Sequence, residues 1–276
     1  MRVLFVGDIV GKAGRRILRE SLPELRAKHS PDAVIVNGEN AAGGAGITPA
    51  VAHEIAALDV DAITLGNHTW DHRELIPAID NLPKLLRPAN FPPGTPGRGS
   101  MVIRTKTGIL LGVASLMGRA FSAAQLDDPF RGADHELELL QAEGARVVII
   151  DFHADATAEK QSMGWYLDGR VAAVIGTHTH VQTADAVVLP GGTAYITDVG
   201  MTGPWLSVLG VDPQAVVEKF LTQMPVRFTV AKGPAMFNGA LLDIDEEAGR
   251  ARAITPLFWR EPADLAVSDE DEDRRR

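Results

Sequence analysis

The strongest constraint on the fold is a repeated change between short apolar segments and segments of helical periodicity over the first two thirds of the chain. Each apolar segment is rich in β-branched residues, as expected of a strand that is buried on both faces of a parallel sheet. The segments are residues 3–6, 33–36, 62–65, 147–152 and 172–175. Their alternation with helical segments predicts a largely parallel sheet and an α/β fold.

Two cap signatures predict where helices start. Thr48-Pro49 and Asp212-Pro213 each place an N-cap residue before a proline at the first helical position. Residues 14–29 form a further predicted helix, because their apolar residues recur at helical spacing. The helix that starts at Pro213 is expected to be of the same kind, with apolar residues Val216, Val217, Phe220 and Leu221.

The last third of the chain has a different pattern, with few helical intervals. Its strand-like segments are residues 187–189, 194–197, 226–231, 240–244 and 253–258. They predict a second, more antiparallel sheet. The Pro/Gly-rich stretch 90–97 favours a long loop over a domain linker, since a predicted hairpin, 101–105 with 109–115, follows it. We therefore predict a single domain over residues 1–262 and a charged, disordered tail over 263–276.

Composition and charge exclude several classes of protein. The 276 residues include no cysteine, which rules out disulfide scaffolds, zinc ribbons, iron–sulfur proteins and thiol catalysts. A formal net charge of −9 argues against a broad nucleic-acid-binding face, so duplex DNA is not an expected partner. The apolar run at residues 2–8 is too short for a signal peptide, and no window approaches the roughly 18 apolar residues of a membrane helix. We expect a cytoplasmic protein without a membrane partner.

Polar side chains follow each of the five predicted parallel strands. The carboxyl ends of such strands border the ligand-binding crevice of an open α/β sheet, so these side chains are expected to converge. Turn formation explains a single polar residue at a strand end, but a functional cluster explains five such ends better. The candidate residues are Asp8, Glu39, Asn40, Asn67, His68, His153, His178 and His180.

The chemistry of these groups indicates a metal centre. Carboxylate, amide and imidazole ligands without thiolate suit iron, manganese, magnesium or zinc ions in catalytic sites. All candidates except His68 are possible ligands, and this number exceeds the needs of one ion. Two ions that share a bridging carboxylate accommodate them, and such pairs are recurrent in phosphate ester hydrolysis.

Three short motifs resemble those of the calcineurin-like metallophosphoesterases. They are Gly-Asp at 7–8, Gly-Asn-His at 66–68 and Gly-Thr-His-Thr-His at 176–180. Two positions depart from the superfamily pattern. Val10 stands where a histidine is usual, and Gly-Glu-Asn at 38–40 replaces the usual Gly-Asp block.

Those departures make the chain similar to one subfamily, the bacterial 2′,3′-cyclic-nucleotide 2′-phosphodiesterases. Four blocks occur in the same order: GDIVG at 7–11, NGENA at 37–41, LGNHTW at 65–70 and TDVGMTG at 197–203. The resemblance extends through Arg260 and implies a four-layer α/β/β/α sandwich with mixed sheets. It also implies two metal ions per chain, iron, manganese or both.

The resemblance further implies a role for each candidate residue. One ion takes Asp8, Glu39, Asn40 and His180, and the second takes the bridging Glu39 together with Asn67, His153 and His178. His68 is the implied catalytic residue, a general acid. The implied reaction hydrolyses 2′,3′-cyclic nucleotides to 3′-nucleotides, by attack of a metal-bridging hydroxide while His68 protonates the leaving ribose oxygen.

Two other functions stay open on the sequence alone. A broader phosphodiesterase or a phosphomonoesterase uses the same ions, and the pocket decides between them. A mainly regulatory protein that binds RNA or nucleotides is the other, although the general acid His68 argues against it. The expected partner is a small cyclic nucleotide or an RNA-derived phosphodiester, and the sequence leaves a homo-oligomer open. His72 is left outside the site, because loop packing explains it equally well.

Overall fold

The structure is a computed structural model, and it describes residues 1–264. Its α-helices are α1 Gly11–His29, α2 Pro49–Ala56, α3 Pro129–Ala142, α4 Thr157–Tyr166 and α5 Pro213–Thr222. Two short 3-10 helices lie at Arg73–Leu75 and Ile79–Asn81. The predicted tail at 263–276 falls almost entirely outside the described residues.

The strands form two sheets. The strands of the first sheet are β1 Arg2–Val6, β2 Asp8–Ile9, β3 Ala33–Asn37, β4 Ala62–Thr64, β5 Leu85–Leu86, β12 Met201–Pro204, β13 Ala235–Asp245 and β14 Arg250–Arg260. The strands of the second sheet are β6 Ser100–Arg104, β7 Leu110–Met117, β8 Val147–His153, β9 Ala173–Thr177, β10 Val187–Val188 and β11 Ala194–Ile196.

Both sheets are mixed, as the resemblance predicts. The order in the first sheet is β2-β12-β13-β1-β3-β4-β5, with β14 paired to β13. In it, β1, β3, β4 and β5 run parallel, whereas β13 runs antiparallel to β1, β12 and β14. The order in the second sheet is β10-β11-β9-β8-β7-β6, with four parallel inner strands and an antiparallel strand at each edge.

The distribution of strands between the sheets differs from the sequence-based expectation. The five strands predicted to share one parallel sheet are divided, with β1, β3 and β4 in the first sheet and β8 and β9 in the second. The C-terminal strands form no sheet of their own, because β10 and β11 extend the second sheet while β13 and β14 complete the first. An apolar run reports that a strand is buried but does not identify its neighbour, so the division is visible only in the pairing.

Alternate residues of the strands pack in different layers, which builds the sandwich. Val3 and Phe5 of β1 belong to the core between the sheets, which also contains Ile149 of β8. Leu4 and Val6 belong to a second core with residues of α1 and α2. A third core joins the other face of β8 to α3 and α4. Helices thus cover the outer face of each sheet, and the predicted α/β/β/α fold class is confirmed.

Most local predictions are confirmed. Thr48 Oγ1 accepts a hydrogen bond from the Val51 backbone N–H at 3.2 Å and caps α2. Asp212 caps α5 in the same way. Strands β6 and β7 pair as the expected hairpin, and the stretch 90–97 is an irregular loop before β6. Helix α1 starts at Gly11, three residues before its predicted start.

One strand prediction for the last third is wrong. Residues 226–231 form no strand and contribute one isolated bridge, Val211 with Val230, because half of the segment lies in solvent, where β-branched side chains find nothing to pack against. Helix α5 forms as predicted, but of its residues only Val216 is buried. Its larger apolar residues are exposed, namely Val217 at 52%, Phe220 at 74% and Leu221 at 80%.

None of the helices in the described part of the chain has both the length and the apolar content of a membrane span.

Candidate metal centre

The candidate ligands come from strand ends in both sheets. Asp8 is the first residue of β2 and is separated from β1 only by Gly7, and Glu39 and Asn40 follow β3. Asn67 lies in the turn after β4. In the second sheet, His153 is the last residue of β8, while His178 and His180 follow β9. The centre therefore lies where the carboxyl ends of parallel strands from two sheets meet.

His153 Nε2 is the meeting point of one part of the cluster. It lies 3.0 Å from Glu39 Oε1, 3.0 Å from Asn67 Oδ1 and 3.0 Å from His178 Nδ1. One imidazole nitrogen carries at most one proton and cannot satisfy three such partners. The donor atoms of Glu39, His153 and His178 lie within 4.8 Å of one another, which suits a shared cation.

Asp8 and His180 form a second pair of candidate ligands, and Asn40 is a further candidate. Asp8 Oδ2 accepts a hydrogen bond from the His178 backbone N–H at 3.0 Å and lies 3.9 Å from His180 Nε2. Asn40 Nδ2 donates to the Gly44 carbonyl at 3.0 Å, so the amide nitrogen is already used. Among the described residues, three buried side-chain oxygens lack a hydrogen-bond partner, and two of them are Asp8 Oδ1 and Asn40 Oδ1. Buried oxygens of this kind fit a hard cation.

Burial and neighbouring charges shift the pKa values of the side chains in the cluster. Burial opposes ionisation of Glu39, but the charge and hydrogen bond of His153 outweigh it and lower the pKa of Glu39 to about 2. Burial likewise opposes protonation of His153, yet Glu39 and the nearby Asp8 raise the pKa of His153 to about 9. Burial raises the pKa of Asp8. Burial and the charge of His153 lower the pKa of His178 to about 4.

The turn at 66–68 leaves no room for a side chain at Gly66. A Cβ there would lie 2.3 Å from Glu39 Oε2 and 2.4 Å from His153 Nε2. These contacts are closer than any real Cβ makes, so only glycine lets the turn approach the ligands.

His68 lies beside the ligand cluster and makes different contacts. Its backbone N–H donates to Glu39 Oε2 at 3.3 Å. Its ring Nδ1 lies 2.8 Å from Asp71 Oδ2. The sequence analysis does not predict a role for Asp71, although a carboxylate three residues after a candidate acid is a usable signal. His72 contacts the carbonyls of Ala42 and Ala45, which agrees with a loop-packing role.

The turn that carries His178 and His180 is strained and firmly held. Both histidines have positive φ angles, 101° and 65°. Between them, Thr179 donates to Asp198 Oδ2 from its backbone nitrogen at 2.9 Å and from its hydroxyl at 2.7 Å. Lys160 Nζ of α4 donates to the same oxygen at 2.8 Å. The ion pair of Lys160 and Asp198 is buried. The sequence analysis does not predict that this pair holds the turn of the two histidines.

The sequence analysis also does not predict a buried hydrogen-bond network around Asp151, next to the candidate ligands. Asp151 in β8 accepts hydrogen bonds from Asn37 Nδ2 at 2.9 Å, Thr64 Oγ1 at 2.5 Å and Thr177 Oγ1 at 2.7 Å. Burial raises the pKa of Asp151, while the charge of His153 and these three donors oppose the rise. A lone acidic residue inside the apolar run of β8 was the signal in the sequence.

Comparison with known proteins identifies the family. The sequence profile of the YmdB-like protein family matches residues 4–257. The chain belongs to the YmdB-like protein family. It is 51% identical over 258 residues to a Bacillus subtilis protein named 2′,3′-cyclic-nucleotide 2′-phosphodiesterase, covering 94% of this chain and 97% of the relative. The predicted resemblance to that group of enzymes is confirmed.

Solved structures agree with this family and its fold. A structure described as a novel phosphatase, from Mycoplasma pneumoniae, superposes with a TM-score of 0.88 at 33% identity, covering 95% of this chain and 94% of the other. A 5′-nucleotidase precursor from Thermus thermophilus shares the fold, with a TM-score of 0.58 at 14% identity over 94% of this chain and 54% of the other. The metallophosphoesterase fold and membership of a phosphodiesterase family are therefore established for this YmdB-like chain.

Proposed function

We propose that this YmdB-like protein hydrolyses 2′,3′-cyclic nucleotides to 3′-nucleotides with the help of two metal ions and His68. The observation that carries the proposal is the group of Glu39, Asn67 and His178, each 3.0 Å from His153 Nε2, beside His68, which is not one of the proposed ligands. The name of the Bacillus subtilis relative supports the choice of substrate.

The proposed ligand sets follow the two parts of the cluster. Asp8, Glu39, Asn40 and His180 would hold one ion, and Glu39, Asn67, His153 and His178 would hold the other. Ions held there would supply an activated water and positive charge for the phosphoryl oxygens. We propose iron, manganese or both, since all seven side chains offer oxygen or nitrogen rather than sulfur.

His68 is proposed as the acid that completes the reaction. With Nδ1–H donated to Asp71 Oδ2, the ring is held in one orientation and Nε2–H is left for the substrate. As the bond between phosphorus and the 2′ oxygen breaks, Nε2 gives its proton to that oxygen, and the phosphate stays on the 3′ oxygen. A metal site with a purely structural role does not need an oriented imidazole beside its ligands. The presence of His68 therefore favours an enzyme over a purely regulatory protein.

The remaining predictions are part of the same proposal. Residues 1–262 are proposed to act as a single domain, in which both sheets contribute to one site. The substrate is proposed to be a free cyclic nucleotide or the cyclic end of an RNA fragment. A cytoplasmic location, the exclusion of duplex DNA and membranes as partners, and the oligomeric state stay predictions from the sequence.

A substrate panel tests the function. Protein purified without added metal is analysed for metal content and then assayed on 2′,3′-cyclic AMP, 3′,5′-cyclic AMP, bis-p-nitrophenyl phosphate, 2′-AMP and 3′-AMP. We expect the fastest turnover with 2′,3′-cyclic AMP and 3′-AMP as the product in phosphorus NMR. Preference for a monoester would identify a phosphomonoesterase, and inert metal-loaded protein that still binds RNA would support the regulatory alternative.

A further inference from the structure

The proposed reaction assigns no role to Asp151 and Thr177, which lie buried below the ligands. Thr177 Oγ1 lies 2.7 Å from Asp151 Oδ1 and 2.9 Å from His153 Nδ1. All three residues are buried in the carboxyl-terminal halves of the neighbouring strands β8 and β9. The hydroxyl of Thr177 therefore connects the carboxylate of Asp151 to the ring of a proposed metal ligand.

The direction of proton donation follows from the groups involved. A threonine hydroxyl has one proton, and a carboxylate only accepts. The proton of Thr177 therefore points to Asp151, and Thr177 Oγ1 accepts the proton of His153 Nδ1–H. When the ring binds a metal ion, Nδ1 therefore keeps its proton and the binding lone pair lies on Nε2, the atom that is 3.0 Å from Glu39 Oε1.

The other partners of Asp151 keep its carboxylate an acceptor. Oδ2 accepts from Asn37 Nδ2 at 2.9 Å and from Thr64 Oγ1 at 2.5 Å. Asn37 Oδ1 in turn accepts the Glu39 backbone N–H at 3.1 Å. Asp151 thus links strands of both sheets to two proposed ligands, His153 and Glu39.

We propose that Asp151 and Thr177 are positioning residues that hold His153 in its Nδ1–H tautomer, with Nε2 free to bind a metal ion. The inference rests on the proposed metal-dependent function. Outer hydrogen-bond partners of histidine ligands set the tautomer and the ring orientation, and their loss weakens metal affinity by about 10- to 100-fold.

A series of threonine variants tests the connection. Zn²⁺ affinity is measured by chelator competition on the full chain, with folding checked by circular dichroism. Thr177→Val removes the acceptor for Nδ1–H and is expected to weaken Zn²⁺ binding by about 10- to 100-fold. Thr177→Ser keeps the hydroxyl and should bind Zn²⁺ as tightly as the wild type. Thr193→Val is the matched control, because Thr193 is a buried threonine whose hydroxyl donates to the Val171 carbonyl at 2.7 Å and takes no part in the cluster. It should lower stability and leave Zn²⁺ affinity unchanged.

Asp151→Asn tests the direction of donation. The new amide accepts from Asn37 and Thr64 through its oxygen and turns its N–H₂ toward Thr177. Thr177 must then accept from residue 151 and donate to His153 Nδ1, which moves the ring proton to Nε2. Zn²⁺ affinity should fall as in Thr177→Val. Wild-type affinity in this variant would mean that Asp151 itself donates, and would overturn the proposal.

Nitrogen NMR gives a readout that a general loss of stability would not produce. In Zn²⁺-loaded protein with ¹⁵N-labelled histidine, His153 should show a hydrogen-bonded Nδ1–H signal in the wild type and in Thr177→Ser, and that signal should move in Thr177→Val. Equal Zn²⁺ affinity and an unchanged signal in folded Thr177→Val overturn the inference alone. Failure of the wild type to bind Zn²⁺ or Mn²⁺ would overturn the proposed function instead.

Discussion

At the scale of single residues, adjacent positions in the turn after β4 perform different tasks. Asn67 Oδ1 points to His153 Nε2 at 3.0 Å, whereas the ring of His68 turns to Asp71. Gly66, before them, lets the turn reach the ligands at all. The sequence predicts Asn67 as a ligand and His68 as an acid, but the contact with Asp71 depends on the fold of the loop.

His68→Ala should separate chemistry from metal binding. We expect kcat for 2′,3′-cyclic AMP to fall by about 10²- to 10⁴-fold, the usual contribution of a general acid, with metal content unchanged, because the ring is not among the ligands. Asp71→Asn should give a smaller loss, since the amide oxygen can still accept from Nδ1 and orient the ring but carries no negative charge. Steady-state kinetics and elemental analysis of the same preparations measure both. Full turnover in His68→Ala, together with lost metal in Asn67→Ala, would refute the acid role.

Gly66→Ala should abolish metal binding. The added Cβ would lie 2.3 Å from Glu39 Oε2 and 2.4 Å from His153 Nε2, so the turn or the ligands must shift. Gly43→Ala is the control, because its φ is 70° and no heavy atom lies within 4 Å of its Cβ. The control should cost about 1 kcal/mol of stability through backbone strain and keep its metal. Metal content is measured by elemental analysis, and normal content in Gly66→Ala would contradict the expected crowding.

At the scale of elements, the turn after β9 is held by a helix that contributes no ligand. Lys160 of α4 pairs with Asp198, and Asp198 holds Thr179 between the two histidines of positive φ. The strands and helix caps were predictable because their apolar periodicity and cap residues are local. The contact by which α4 stabilises the turn was not predictable from the sequence, since it joins residues 38 positions apart.

Lys160→Met should be strongly destabilising. Methionine fills a similar volume but leaves the buried charge of Asp198 without its partner, which typically costs about 3–5 kcal/mol. Arg119→Met is the control, because its ion pair with Asp128 at 2.8 Å is solvent-exposed and contributes at most about 1 kcal/mol. Urea unfolding at pH 7 measures both free energies. Equal losses in the two variants would mean that burial of the Lys160–Asp198 pair has no energetic consequence.

At the scale of the whole molecule, an ion pair joins the first helix to the residue that follows the last strand. Arg16 of α1 makes a two-pronged ion pair with Glu261, which follows β14, at 2.6 and 2.7 Å. The hydrogen bond from Arg16 lowers the pKa of Glu261. Stability from this pair is fully present above the pKa of an unfolded glutamate, about 4.3, and is lost as pH falls through the lower folded value.

Glu261→Gln should therefore destabilise the protein in a pH-dependent way. We expect a loss of about 1 kcal/mol at pH 7 that shrinks toward zero as pH falls below about 4. Glu20→Gln is the control, since its bond to the same Arg16 at 3.0 Å is an exposed pair within α1 and should change stability little. Thermal unfolding of the three proteins from pH 3 to 7 measures the difference. A loss in Glu261→Gln that is constant over this range would show that charge plays no part.

The sequence by itself determined the fold class and the family, and it predicted the candidate ligands. Strand periodicity, cap residues and polar groups such as Asp8 and His153 at strand ends are local signals, so they can be recognised without a fold. Only the tertiary structure divided the strands between two sheets and brought Asp151 beneath His153 through Thr177. Strand pairing and buried hydrogen bonds join residues that are distant in the chain, and no local pattern specifies such partners.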